Sequence, residues 1–144
     1  MDLTVRDAAA ADAEAVAGLL EQLGYPTTAR QAERRLQVLG GSADWRVLAA
    51  VDPGGVVVGL VAAEVIPLLE HDDPVCRLAA LVVDDAHRGR GIGAVMVRAV
   101  EELARERGCH GVMLTTARHR AGAHAFYRRL GYVDTGLRFV KMLD

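Results

Sequence analysis

The stretch that decides the fold is LAALVVDDAHRGRGIGAVMVRAVEELA, residues 78–104. It opens with an apolar, β-branched run that ends at Val83, passes through a polar loop into the glycine-rich segment 88–93, and continues as a long amphipathic segment. This order predicts a strand, a loop and a helix. Because glycines alternate with bulkier residues, the backbone N–H groups at the start of the helix are accessible to an anion. We therefore expect a phosphate-binding site where the loop meets the helix.

The segment after this turn has the clearest helical periodicity in the chain. Its apolar residues recur at intervals of three and four, which places their side chains on one face of an α-helix. Gly108 is predicted to end that helix. The expected buried stripe consists of Ile92, Val95, Met96, Ala99, Val100, Leu103 and Ala104.

Strand-like and helix-like segments alternate through the rest of the chain. Thr28 and Gln31 have the spacing of a capping box, and residues 52–55 (DPGG) are typical of a hairpin connection. The strand after the long helix should lie parallel to the strand before it, because a helical crossover joins them. We expect helices at residues 12–23, 28–39, 92–107 and 121–130. We expect strands at residues 3–6, 45–51, 56–66, 76–83, 111–116, 132–133 and 137–141.

Composition indicates one ordinary globular domain over residues 1–144. The chain is 51% hydrophobic and 25% charged, and its formal net charge is -2. These values disfavour both intrinsic disorder and a basic nucleic-acid-binding arm. We therefore expect no nucleic-acid partner.

The sequence carries no signal for a membrane, a secretory route or a metal. Its longest apolar run, Val56 to Ala63, is far shorter than the roughly 20 residues of a membrane span. Cys76 and Cys109 lie far apart and outside any zinc-ligand spacing, and the 71–73 cluster of one histidine and two aspartates is too tightly spaced for a metal site. We expect a cytoplasmic protein without membrane contact, structural disulfides or a metal.

A dinucleotide site is an alternative interpretation of the glycines. Gly89, Gly91 and Ala94 satisfy GxGxxG/A between a predicted strand and helix. Five residues separate that strand from the first glycine, however, and no acidic residue ends the next strand, where a ribose would need one. Arg118 follows that next strand and could meet a 2′-phosphate, so an NADP-binding protein stays open as an alternative.

Three segments together resemble the GNAT superfamily of acetyl-CoA-dependent N-acetyltransferases. They are LVVDDAHRGRGIG at 81–93, GVMLTT at 111–116 and AHAFYRRLGY at 123–132. The resemblance implies an α/β (α+β) fold, with a mixed, mostly antiparallel sheet of about seven strands, about four flanking helices and one splayed parallel strand pair. It also implies acetyl transfer from acetyl-CoA to a primary amine, by direct attack in a ternary complex and without a metal.

The resemblance also implies where acetyl-CoA binds. Pantetheine would lie along the strand before the turn, the pyrophosphate would contact the turn, and a backbone N–H near Val82 or Val83 would hold the developing oxyanion. Arg120 stands where the family commonly has an asparagine that contacts the cofactor. The implied cofactor-binding set is Leu81, Val82, Val83, Arg88, Gly89, Arg90, Gly91, Ile92, Gly93, Ala94, Arg120 and Tyr127.

Two side chains are candidates for proton transfer. The resemblance implies that Tyr127 protonates the leaving thiolate as a general acid, with core packing as the alternative role. Glu64, a charged residue inside an apolar strand, is the candidate base, acting directly or through water, with a salt bridge as the alternative. His87, His119 and His124 are expected to be exposed.

The sequence leaves the acceptor and the assembly open. The resemblance implies a small-molecule or peptide amine as acceptor, without naming one, and a homodimer is compatible with it. A non-catalytic acyl-CoA-binding or regulatory module on the same fold is a second hypothesis, beside the NADP-binding protein.

Overall fold

The structure, a computed structural model, describes residues 2–116 and 121–143. It divides into two compact units, Met1–Met113 and Leu114–Asp144, each of which is described by itself. The expectation of a single domain stays a prediction. The strands are β1 (Thr4–Asp7), β2 (Trp45–Val51), β3 (Val57–Ile66), β4 (Val75–Val83) and β5 (Val112–Met113). The helices are α1 (Ala13–Leu23), α2 (Ala29–Gly40), α3 (Ile92–Glu106) and α4 (Ala121–Arg129).

The first unit is built on one mixed sheet. Its strand order is β1-β2-β3-β4-β5, with antiparallel pairs up to β4 and a parallel pair between β4 and β5. The predicted hairpin of β2 and β3 and the predicted parallel pair are therefore confirmed. The prediction of about seven strands is wrong, because the described residues form five and the segment 132–143 carries no strand. A strand exists only through pairing, and local alternation does not supply a partner.

Helices cover both faces of this sheet. Residues of α1 and α2 pack in one buried cluster with Leu60 of β3 and Val82 of β4. On the other face α3 presents the buried residues Ile92, Met96, Val97, Val100, Leu103 and Ala104. The predicted stripe omitted Val97 and included Val95 and Ala99, which are half-buried. No helix in the described ranges has the length and hydrophobicity needed to cross a bilayer.

The predicted helix signals act as expected around α1 and α2. Gly24 adopts a left-handed φ of 108° and ends α1. The Thr28 hydroxyl accepts from the Gln31 N–H at 3.1 Å, and the Gln31 amide oxygen accepts from the Thr28 N–H at 3.0 Å. These contacts confirm the capping box at the start of α2.

Gly59 allows β3 and α3 to approach closely beside the end of β4. A Cβ at this position would lie 2.7 Å from Met96 Cε and 3.3 Å from Ile92 Cγ2, and both side chains are buried. We expect Gly59→Ala to lower the free energy of unfolding by about 1–3 kcal/mol, because α3 must shift or Met96 must repack. Urea denaturation measures the change.

The matched control is Gly18→Ala on the exposed side of α1. An added Cβ meets nothing within 4 Å there, and the position is helical. This variant should gain about 0.5–1 kcal/mol from helix propensity. Equal stabilities of the two alanine variants would contradict the close approach at Gly59.

Candidate functional site

Two glycines shape the turn before α3. Gly89 and Gly91 have φ values of 79° and 80°, a left-handed conformation that side chains other than glycine rarely adopt. A Cβ built on either residue meets nothing within 4 Å among residues 2–116 and 121–143. The backbone conformation therefore requires the glycines, and no described residue fills the space beside them.

The N-terminus of α3 has no capping side chain. Gly91 occupies the N-cap position without a side-chain hydrogen bond, and no acidic residue lies in the first turn. The first intrahelical bond runs from the Val95 N–H to the Gly91 carbonyl at 3.2 Å. The N–H groups of Ile92, Gly93 and Ala94 consequently have no acceptor within the helix. With the positive end of the helix dipole, they form an arrangement suited to a phosphate.

Arginines contribute positive charge to the same turn. The Arg88 Nε donates to the Val83 carbonyl at 3.3 Å, and its guanidinium forms an ion pair with Asp85 at 2.7 Å. The guanidinium is more than half exposed, and Arg90 is exposed as well. The turn therefore combines two arginines with the uncapped helix terminus.

A hydrogen-bonded group joins α1 to the loop after β4. The Gln22 side-chain amide donates to Asp84 Oδ1 at 2.9 Å and accepts from the Asp85 N–H at 2.9 Å. His87 Nδ1 lies 2.8 Å from Asp84 Oδ2. The bonds from Gln22 and His87 lower the pKa of the Asp84 carboxyl. The expectation that His87 is exposed is wrong, since its side chain is only 24% exposed.

Within the described residues, β4 pairs with β5 only at its start, away from the turn. Parallel pairing with β5 is confined to Cys76 with Val112 and Arg77 with Met113. A bulge then interrupts the pairing with β3, because Ala79 has no partner between the pairs that flank it. Bulges bend a strand and frequently lie beside functional sites. Residues 78–83 therefore have no parallel neighbour within the described residues.

Glu64 lies at the opposite end of the strand pair from the turn. Its carboxylate is 3.2 Å from the Arg77 guanidinium, which also lies 5.6 Å from the Trp45 ring centroid. Leu60 pairs with Val82, and Glu64 is four residues further along β3. At the rise of a strand this separation is about 13 Å. The structure therefore does not bring Glu64 next to Val82, and places it instead in a salt bridge.

The second unit contains α4 and the candidate acid Tyr127. The Tyr127 ring makes edge-on contacts with Phe126 and Tyr132, at centroid distances of 5.0 Å and 5.8 Å. Burial raises the pKa of the Tyr127 hydroxyl. Three residues that the sequence analysis singled out lie outside the described residues: Arg118, His119 and Arg120.

The cysteines and acidic residues of the described ranges suggest no further chemistry. Burial is the main cause that raises the pKa of the Cys76 thiol to about 11, so this thiol is neutral at physiological pH. A neutral thiol is a weak nucleophile, so Cys76 is disfavoured as a catalytic nucleophile. Separately, no three His, Cys, Asp or Glu residues within 2–116 and 121–143 are grouped to hold a metal ion.

The fold is shared with solved acetyltransferases. A GNAT family acetyltransferase of Staphylococcus aureus superposes with a TM-score of 0.85 at 23% identity, covering 99% of this chain and 100% of that one. An aminoglycoside N-acetyltransferase solved in complex with CoA gives a TM-score of 0.86 at 19% identity, covering 99% and 95% of the two chains. At these identities the likeness concerns the fold alone.

Sequence comparisons identify the family. N-acetyltransferase 8F1 of Rattus norvegicus is 39% identical over 95 residues, which are 63% of this chain and 41% of that protein. N-acetyltransferase 8 of Mus musculus is 36% identical over 107 residues, covering 72% of this chain and 44% of that protein. The chain thus matches less than half the length of these relatives. The model of the Acetyltransferase (GNAT) family matches residues 16–132. This chain therefore belongs to the GNAT family of acetyltransferases.

Proposed function

We propose that this chain transfers an acetyl group from acetyl-CoA to a primary amine, by direct attack in a ternary complex. The observation that carries the proposal is the N-terminus of α3, where the N-cap residue is a left-handed glycine without a capping side chain. It follows a strand, β4, whose last six residues pair with no parallel strand among the described residues. A phosphate would accept hydrogen bonds from the N–H groups at the start of α3. An extended chain of amides would form hydrogen bonds with the backbone of β4, as a neighbouring strand does. The acceptor is a small-molecule or peptide amine.

The turn is the proposed site of the pyrophosphate. The N–H groups of Ile92, Gly93 and Ala94 would donate to phosphate oxygens, and Gly89 and Gly91 would admit them to the backbone. Arg88 and Arg90 would add charge-assisted contacts. Arg120 is part of the proposed set through the family resemblance alone.

The strand edge is the proposed site of pantetheine and of the reaction. Backbone groups of Leu81 and Val83 would pair with the pantetheine amides as a neighbouring strand does. When the amine nitrogen attacks the thioester carbonyl carbon, negative charge develops on the carbonyl oxygen. A backbone N–H at Val82 or Val83 would stabilise that charge.

Proton transfer completes the exchange. The carbon–sulfur bond breaks as the amide bond forms, and the sulfur leaves with the electron pair. Tyr127 is the proposed general acid that protonates this sulfur, a role that requires a protonated hydroxyl. Burial raises the pKa of that hydroxyl, so it carries its proton at neutral pH, as an ordinary tyrosine also does. The attacking amine must also lose a proton. Glu64 is the proposed acceptor of that proton through water, since its separation from Val82 along the strands argues against direct contact.

Ligand-induced thermal shifts followed by turnover assays test the proposal. Acetyl-CoA and free CoA should raise the melting temperature and NADPH should not, because five residues separate β4 from the first glycine, whereas in a dinucleotide-binding fingerprint the glycines follow the strand directly. A panel of amines with thiol detection should then reveal CoA release. Stabilisation by NADPH alone would overturn the proposal. CoA binding without thiol release for any amine would favour a non-catalytic acyl-CoA-binding module.

A further inference from the structure

Both ends of the Gln22 side-chain amide form hydrogen bonds with the loop that leads into the turn. Its NH2 group donates to Asp84 Oδ1 and its carbonyl oxygen accepts from the Asp85 N–H, both at 2.9 Å. These residues directly follow β4, whereas Gln22 lies one residue before the end of α1. The two hydrogen bonds bridge 62 and 63 positions of sequence.

Asp84 also forms hydrogen bonds with His87, which lies two residues before Gly89. Its second carboxylate oxygen contacts His87 Nδ1 at 2.8 Å, and the His87 N–H donates to the Asp84 carbonyl at 2.9 Å. His87 ends the short 3-10 turn that Arg88 and Gly89 follow. The direction in which the chain enters the glycine turn is therefore linked to Gln22 through Asp84 and His87.

We infer that Gln22 is a positioning residue for the CoA-binding turn, holding the loop after β4 so that the N–H groups at the start of α3 are prearranged for the pyrophosphate. The inference rests on the proposed function. It assigns α1 a part in cofactor affinity, although α1 contributes no residue to the turn itself. Preorganisation increases affinity because the ligand does not have to order the loop on binding.

Replacing the donor with a second carboxylate tests the contact directly. In Gln22→Glu the side chain can still accept from the Asp85 N–H, but it faces the Asp84 carboxylate without a proton to donate. We expect the CoA dissociation constant from calorimetry at neutral pH to rise about tenfold, and the KM for acetyl-CoA to rise while kcat changes little. Gln22→Leu, which adds no charge, should weaken binding about threefold.

A second-site change should reverse the effect. In Gln22→Glu combined with Asp84→Asn, the new amide donates to the new carboxylate, so the hydrogen bond returns with donor and acceptor exchanged. The dissociation constant should return to within about threefold of the wild-type value. The matched control is Gln37→Glu, the same change on the exposed side of α2, which should leave CoA affinity unchanged.

Hydrogen exchange in the ligand-free protein separates this inference from the proposed function. Amides of residues 84–94 should exchange faster in Gln22→Glu and recover in the double variant, whether or not the wild type binds CoA. If the wild type binds CoA and Gln22→Glu binds equally well, or if the double variant fails to recover, the positioning role is wrong. Failure of the wild type to bind CoA, with exchange behaving as expected, would overturn the proposed function and leave the Gln22 contact standing.

Discussion

Replacing Tyr127 with phenylalanine should lower kcat by about a hundredfold and leave the dissociation constant of CoA within about twofold. The change removes one oxygen and keeps the ring that contacts Phe126 and Tyr132, so the packing of this unit should survive. Without the hydroxyl, the sulfur leaves as an unprotonated thiolate. Steady-state kinetics with saturating acetyl-CoA, together with calorimetry using free CoA, separate the chemical step from binding.

The neighbouring tyrosine provides the control. Tyr132→Phe removes the same atom from a ring 5.8 Å from that of Tyr127 and should keep kcat near the wild-type value. Burial raises the pKa of Tyr127 from a value that is already above the neutral range, so its hydroxyl is protonated there. Any change of kcat that the wild type shows between pH 7 and 9 should therefore also occur in Tyr127→Phe, because it does not come from titration of Tyr127. If Tyr127→Phe and the wild type had equal kcat values, Tyr127 would not be the general acid, and its role would be packing alone.

Local sequence patterns predicted those parts of the fold that depend on neighbours in the chain. The apolar spacing between Ile92 and Ala104 predicted α3, and the capping-box spacing at Thr28 predicted the start of α2. The glycines of the turn were recognised because they alternate with bulkier residues, and the structure adds that Gly89 and Gly91 adopt a left-handed φ. Each of these features is decided within a few residues, so a pattern can reveal it.

Features that depend on distant segments were missed. Neither the bulge at Ala79 nor the contact between Gln22 and Asp84 leaves a periodic signal, since each is set by packing between elements far apart in sequence. The salt bridge of Glu64 was foreseen only as an alternative, because its partner Arg77 is defined by strand register. The opposite error occurred at residues 137–141, where an alternating pattern predicted a strand that the structure does not contain. Alternation indicates a preference for the β conformation, but a strand forms only where a neighbour supplies hydrogen bonds.

Replacing Gly91 with valine should weaken CoA binding by at least about thirtyfold, for two reasons that act together. A β-branched residue strongly disfavours the φ of 80° at this position, which costs roughly 1–3 kcal/mol. The added side chain would also occupy the open space beside the N–H groups of Ile92 and Gly93, where the pyrophosphate is proposed to lie. Calorimetry with CoA measures the loss of affinity, and thermal denaturation measures the strain.

Gly108 separates strain from obstruction. It has a φ of 70°, follows the opposite end of α3, and an added Cβ would meet nothing within 4 Å. Gly108→Val should therefore lower the melting temperature as Gly91→Val does, yet bind CoA with nearly wild-type affinity. Asparagine tolerates the left-handed conformation, so Gly91→Asn should recover much of the stability while still obstructing the phosphate. If Gly91→Asn bound CoA as tightly as the wild type, the space beside Gly91 would not be the pyrophosphate site, and the N-terminus of α3 would lose its proposed role.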